Sequence, residues 1–146
     1  MPASGVTMIE RSVDKTYEWL NQLADALGSP GDRHYAYRVL RAVLHTLRNR
    51  LPVDAAAHLG AQLPELIRGI YYESWRPSAT PQPYHHAAQF LDQVAAEAGL
   101  TGETQAGYAV AAAARVLRQH ITAGELDHVC AALPTEICAL LTDTKS

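Results

Sequence analysis

Apolar side chains recur every three to four positions along most of this chain, which is the spacing of one face of an α-helix. The pattern is clearest over Tyr17–Leu27, which Gly28 ends, and over Val39–Leu51, for which Asp32 is a candidate N-terminal cap. Stretches of useful length that alternate apolar and polar residues are absent from the sequence, so nothing in it favours β-strands. We therefore predict an all-α protein of about eight helices.

Prolines divide parts of the chain into short helices. Within Leu51–Trp75, Pro64 would cost a continuous helix about 3 kcal/mol or more, because proline lacks the N–H donor and clashes with the preceding turn. We therefore expect a break there and a second short helix that starts at this proline. An alanine-rich helix is predicted over residues 104–119, with Tyr108 among its apolar residues, and Pro134 is expected to open the last helix.

The sequence of the first half recurs, weakly, in the second half. Leu63 and Pro64 recur as Leu133 and Pro134, 70 residues later, and Trp19 has its counterpart in an aromatic residue of the second half, Phe90. We interpret this as a tandem pseudo-repeat of two related four-helix halves. The predicted organisation is a flexible tail at residues 1–12, a first helical half at 13–75, a proline-rich linker at 76–83, a second helical half at 84–142 and a tail at 143–146.

The central segment LRAVLHTLRNRLPVDAAAHLGAQLPELIRGIYYESW resembles the signature of the bacterial family catalogued as domain of unknown function 2267. Thr16, Trp19 and Leu20 fit the opening helix of that family, and Leu133 with Pro134 fits its weaker second half. The resemblance implies an all-helical bacterial domain of two related halves. It implies no activity, substrate, cofactor or catalytic residue.

Composition and charge bound the class of protein only broadly. Of 146 residues, 48% are apolar, which is enough for a sizeable core, and the formal net charge of −3 argues against a nucleic-acid binder. The sequence has no apolar run of membrane-spanning length and no signal-peptide core, so we expect a soluble cytoplasmic protein without membrane contact. The two cysteines, Cys130 and Cys138, are expected to be buried free thiols.

An aromatic cluster at the end of the central segment is the first candidate binding surface. It consists of Tyr71, Tyr72 and Trp75, and Arg76 follows it at the start of the linker. Tyrosine and tryptophan combine a large apolar area with a polar group, as is typical of binding hot spots. The alternative is that Tyr71 and Trp75 close the core of the first half and hold the linker.

A basic stripe on the second helix is the second candidate surface. Arg38, Arg41, His45 and Arg48 fall at i, i+3, i+7 and i+10 and therefore share one face. Such a face could meet phosphates or an acidic partner. The alternative is a solvated face paired with nearby carboxylates, and the overall acidity of the chain favours that alternative.

Two histidines, His58 and His128, occupy equivalent positions of the repeat. A metal ion or a proton-linked switch could use such a pair. The alternative is a half-buried histidine in each half, retained by duplication, since no HExxH or comparable ligand motif is present. We predict no cofactor and no resident metal.

Catalytic motifs are absent from the sequence, as are glycine-rich phosphate loops, which makes an enzyme the least favoured class. We predict a protein-interaction or assembly module, whose partner is another protein or a second copy of the chain. A small-ligand or metal-responsive sensor using the paired histidines, and a nucleic-acid binder using the basic stripe, are the alternatives.

Overall fold

The computed structural model describes residues 4–143. These residues form eight α-helices and no strands. The all-α prediction is confirmed. The helices are α1 (Ser4–Ala26), α2 (Arg33–Arg50), α3 (Val53–Gly60), α4 (Glu65–Tyr72), α5 (Ala87–Ala98), α6 (Glu103–His120), α7 (Ala123–Ala131) and α8 (Thr135–Thr142), with a short 3₁₀ turn at Pro77–Ala79.

Several helix boundaries follow from local chemistry that the sequence already displays. The Asp32 carboxylate accepts a hydrogen bond from the backbone N–H of Tyr35 at 3.0 Å and so caps α2. Pro64 and Pro134 directly precede α4 and α8, where a missing N–H removes no helical hydrogen bond. Gly28 takes the left-handed conformation, with φ of 76°, in the turn after α1.

The N-terminal segment differs from the prediction. We expected a flexible tail at residues 1–12, but α1 begins at Ser4 and runs on into the packed part of the helix. The side chains of Val6, Met8 and Ile9 are exposed there, so the apolar periodicity carries no signal for a helix. Extending a helix that is already nucleated adds one hydrogen bond per residue. The parts of the predicted tails at 1–3 and 144–146 lie outside the described residues.

The core lies between the four longer helices, with α2 and α6 at its centre. Trp19, Tyr71 and Phe90 are its largest fully buried side chains. The larger contacts between helices have counterparts when α1–α4 are exchanged with α5–α8. For example, α1–α2 corresponds to α5–α6, α2–α4 to α6–α8 and α1–α6 to α2–α5. The pseudo-repeat remains a prediction, and this contact pattern is what it would produce.

The linker is fastened to the C-terminal end of α2. The backbone N–H of Gln82 donates to the carbonyl of Asn49 at 2.9 Å, and Arg50 Nε donates to the carbonyl of Tyr84 at 2.7 Å. Arg50 is buried. Its guanidinium therefore holds the backbone at Tyr84, where the chain enters the second half.

The cysteines do not match the prediction of free thiols. Cys130 in α7 and Cys138 in α8 form a disulfide, with Cα atoms 5.0 Å apart. Pro134 starts α8 just after the turn between the two helices and brings the two side chains together. Spacing alone did not reveal the bond, because the two residues were assigned to separate helices without a known angle between them.

Candidate interaction surface

The aromatic cluster is mostly part of the core. Tyr71 is fully buried, and its hydroxyl donates to the carbonyl of Ala56 at 2.7 Å. Burial raises the pKa of Tyr71 above its ordinary value. The Tyr72 ring packs against Gly60 of α3, and its centroid lies 5.2 Å from that of Trp75. Both of these rings are half-buried, so the cluster closes the first half against the linker.

The basic stripe does not form a free cationic face. Arg48 is only 3% exposed, and its Nη1 donates to the carbonyls of Tyr71 at 2.8 Å and Glu73 at 2.6 Å. Burial lowers the pKa of Arg48. These two carbonyls belong to the C-terminal end of α4, where helical partners run out. Arg48 thus fastens α4 to α2 and is not available to a phosphate.

His45 and Arg41 extend this network to α5. His45 is buried, with Nδ1 2.7 Å from the carboxylate of Glu97 and Nε2 2.6 Å from the carbonyl oxygen of Ile70. The imidazole ring of His45 is thus held between two acceptors, one from α4 and one from α5. Arg41 donates to Glu97 at 3.0 Å and to Glu73 at 2.8 Å. The hydrogen bond from Arg41 lowers the pKa of Glu73.

Arg38 completes the stripe and is also engaged, because its Nε donates to the carbonyl of Ala98 at the end of α5 at 3.3 Å. The four side chains of the basic stripe therefore join α2 to α4 and α5. Arg76, by contrast, is exposed at the start of the linker. Sequence periodicity correctly placed the stripe on one side of α2, but it did not reveal that this side faces two other helices.

The two equivalent histidines do meet, where α3 contacts α7. The ring centroids of His58 and His128 lie 4.4 Å apart, and His58 Nδ1 is 2.6 Å from the carboxylate of Glu125. Glu125 is 5% exposed. Sequence reasoning missed it, although it stands one helical turn before the buried Val129 on the same face of α7. Within residues 4–143, no group of three His, Cys, Asp or Glu side chains is arranged to hold a metal ion.

A third surface, which sequence reasoning did not find, lies on α6. Tyr108 was grouped with the apolar residues of this helix, but it is 72% exposed, the highest exposure of any large apolar side chain in the described part of the chain. Thr104, Tyr108, Ala111 and Arg115 follow one another at spacings of four, three and four residues on the same side. We call these four residues the α6 face.

Two grooves flank Tyr108. One, of about 450 Å³, is bounded by Leu27 and Tyr35 on one side and by Ala111 and Arg115 on the other. The second, of about 340 Å³, lies between α6 and α8. Leu140 forms its apolar wall, and Glu103 lies at its edge. The exposed aromatic ring therefore stands between two concave, largely apolar surfaces.

The α6 face corresponds to the basic stripe at the 70-residue offset, with Tyr108 in place of Arg38, Ala111 in place of Arg41 and Arg115 in place of His45. In the first half, Arg41 and His45 contact the carboxylate of Glu97, and Arg38 donates to the carbonyl of Ala98. Among the described residues, Arg115 has no hydrogen-bond or ion-pair partner. The contacts that cover the surface in the first half are thus missing in the second.

The sequence model of the uncharacterised conserved protein family DUF2267 matches residues 16–140. The chain belongs to this family. The resemblance inferred from the central segment is thereby confirmed, and the DUF2267 match includes the whole of α6. A search of curated proteins returned no match to the chain. None of the helices within residues 4–143 is long and apolar enough to cross a membrane.

Proposed function

We propose that this DUF2267 protein is a non-catalytic protein-interaction or assembly module and that the α6 face is its contact surface. The observation that carries the proposal is Tyr108, a large aromatic side chain exposed between two grooves. Covering a tyrosine side chain removes a large apolar area from water and contributes about 2–3 kcal/mol.

The surroundings of Tyr108 have the composition of a small interface. Interfaces place aromatic residues at the centre and polar residues at the rim. Here Ala111 and Leu140 provide apolar walls close to the ring, while Glu103 and Arg115 lie on either side of Tyr108 along the helix. The arrangement supports a partner that covers the ring and reaches both charges.

The other candidate surfaces offer less to a partner. The rings of the aromatic cluster pack on Gly60 and on one another, and the cations of the basic stripe donate to carbonyls and carboxylates of the same chain. Nucleic-acid binding through that stripe would have to break these contacts in a protein of net charge −3. We therefore assign the contact to α6.

Site-specific photocrosslinking in the cells that naturally express the protein tests the proposal. A photoreactive amino acid replaces Tyr108, and the matched control carries it at Tyr37, another exposed tyrosine, on α2. We expect a defined covalent adduct from position 108 and none from position 37. Absence of an adduct at 108, or the same adducts from both positions, would show that the α6 face is not a contact surface.

A further inference from the structure

We infer that the partner of the α6 face is a second copy of the same chain, with the two α6 helices packed antiparallel. This inference rests on the proposed function, because it uses the same surface. It adds the identity of the partner and the geometry of the contact.

The spacing along the α6 face is the same in both directions. Thr104, Tyr108, Ala111 and Arg115 are separated by four, three and four residues, which is the spacing of helix pairs that pack side by side. When a second α6 runs antiparallel and is centred between residues 108 and 111, each Tyr108 meets the Ala111 of the other copy. A large side chain then lies over a small one at both contacts, as close packing requires.

The charges along α6 favour the antiparallel direction. Glu103 is exposed in the first turn of α6, and Arg115 is exposed in its second half. They are separated by 12 residues, or about 18 Å along the helix at 1.5 Å per residue. In an antiparallel pair with this centre, Arg115 of each copy faces Thr104 of the other, so Glu103 lies within one residue of its level. A parallel pair would instead bring like charges together.

The first half of the chain shows what the missing contact would supply. There His45, at the position that corresponds to Arg115, lies 2.7 Å from the carboxylate of Glu97. Ala26 stands at the position in α1 that corresponds to Glu97, since the opening helices align at an offset of 71 residues. Asp25 lines the same groove as Arg115, but within residues 4–143 no carboxylate forms an ion pair with Arg115. Glu103 of a second copy provides one. A two-fold pair satisfies both copies with one surface.

Sedimentation velocity over a range of protein concentrations measures the pairing. We expect the unmodified chain to form a dimer whose fraction rises with concentration, because one helix face with its grooves is small for a permanent interface. Glu103→Arg and Arg115→Glu, each alone, place like charges at both contacts. Each is expected to weaken dimerisation at least tenfold.

Mixing the two variants gives the decisive result. In a mixed pair, both contacts again join opposite charges, so Glu103→Arg and Arg115→Glu should form a heterodimer together although neither forms a homodimer. Arg76→Glu, which makes the same charge change on an exposed arginine beside the aromatic cluster, is the matched control and should dimerise normally. Circular dichroism verifies that every variant is folded.

Each other outcome overturns the inference. A dimer that survives Arg115→Glu, or variants that do not recover on mixing, would show that α6 does not pair antiparallel. Loss of the dimer in Arg76→Glu would move the contact to the aromatic cluster and would contradict the proposed function as well. A chain that stays monomeric at all concentrations would exclude self-pairing. The photocrosslink at position 108 would then test the proposed function separately. An adduct with the mass of a different protein would support it, and the absence of an adduct would contradict it.

Discussion

Replacing Arg48 by methionine tests whether the basic stripe stabilises the packing of α4 on α2. The guanidinium is buried and holds the carbonyls of Tyr71 and Glu73 at the end of α4, at 2.8 and 2.6 Å. Methionine keeps much of the apolar stem and removes all the donors. The variant leaves both carbonyl oxygens without this donor, at buried or partly buried positions where water replaces it poorly.

Arg48 Nε also donates to Asn49 Oδ1 at 3.0 Å, a contact within α2. The effect on the attachment of α4 follows from the two hydrogen bonds to its carbonyls. A hydrogen bond from a charged donor contributes about 1.5–3 kcal/mol, so two of them contribute about 3–6 kcal/mol. Removing the charge also relieves the cost of keeping a guanidinium away from water, which offsets part of the loss. We expect Arg48→Met to lower the free energy of unfolding by about 3 kcal/mol. With a urea m-value of about 2 kcal/mol/M, the midpoint falls by about 1.5 M.

Arg118 provides a matched control within the same chain. It lies 70 residues later, its Nη1 donates to one carbonyl, that of Leu141 at 2.6 Å, and its side chain is half-buried. Arg118→Met should therefore cost only about 1 kcal/mol. Arg48→Lys keeps the charge but loses the planar set of donors. Its free energy of unfolding should lie between those of the unmodified chain and Arg48→Met.

Urea unfolding, followed by far-ultraviolet circular dichroism and by the fluorescence of Trp19 and Trp75, measures all four proteins. A free energy of unfolding of Arg48→Met within about 0.5 kcal/mol of that of the unmodified chain, the range of ordinary surface substitutions, would contradict this role of Arg48. That result would mean that Arg48 is a solvated side chain, and the basic stripe would again be a candidate for binding phosphates. A larger loss from Arg118→Met than from Arg48→Met would contradict the assignment in the same way.

Three further predictions concern packing, pH and the disulfide. Gly60→Ala should cost about 1–3 kcal/mol in chemical unfolding because its Cβ meets the Tyr72 ring, whereas Gly69→Ala, with open space around it, should stabilise by up to about 1 kcal/mol. Burial lowers the pKa of His120, so its contribution to stability is present above the unfolded pKa of about 6.5 and is lost as the pH falls below it. The free energy of unfolding, measured from pH 7.5 to 5.5, should therefore fall less steeply in His120→Gln than in the unmodified chain. Intact-mass measurement after alkylation should show no modified thiol until a reductant is added, and reduction of the Cys130–Cys138 bond should cost about 2–3 kcal/mol. Equal effects of the two glycine variants would contradict the first prediction. The second would be contradicted by the same pH dependence of the free energy of unfolding in His120→Gln as in the unmodified chain, and the third by alkylation without a reductant.

Much of the fold is readable in the sequence because its signals are local. A capping carboxylate at Asp32, a turn glycine at Gly28 and the prolines before α4 and α8 act within a few residues of where they stand. The start of α1 was misjudged because Val6 and Ile9 are exposed and leave no periodic pattern. The disulfide was missed because it depends on the angle between two helices.

The candidate surfaces were harder to predict, because they depend on which face of a helix is covered by another helix. The spacing of Arg41 and Arg48 identified one side of α2, but only the packing of α4 and α5 shows that this side is internal. The opposite error occurred at Tyr108. An aromatic residue in an alanine-rich helix is expected to be buried, yet no neighbouring helix covers this position in residues 4–143.

The location of the contact surface is tested most directly by two-dimensional NMR spectra of nitrogen-15-labelled protein at increasing concentration. We expect chemical-shift changes to concentrate on α6 between Glu103 and Gln119 and on the groove walls at Leu27 and Leu140, and to be weak around Trp75. Shift changes centred on the aromatic cluster, or spectra that do not change with concentration up to the millimolar range, would contradict pairing through the α6 face.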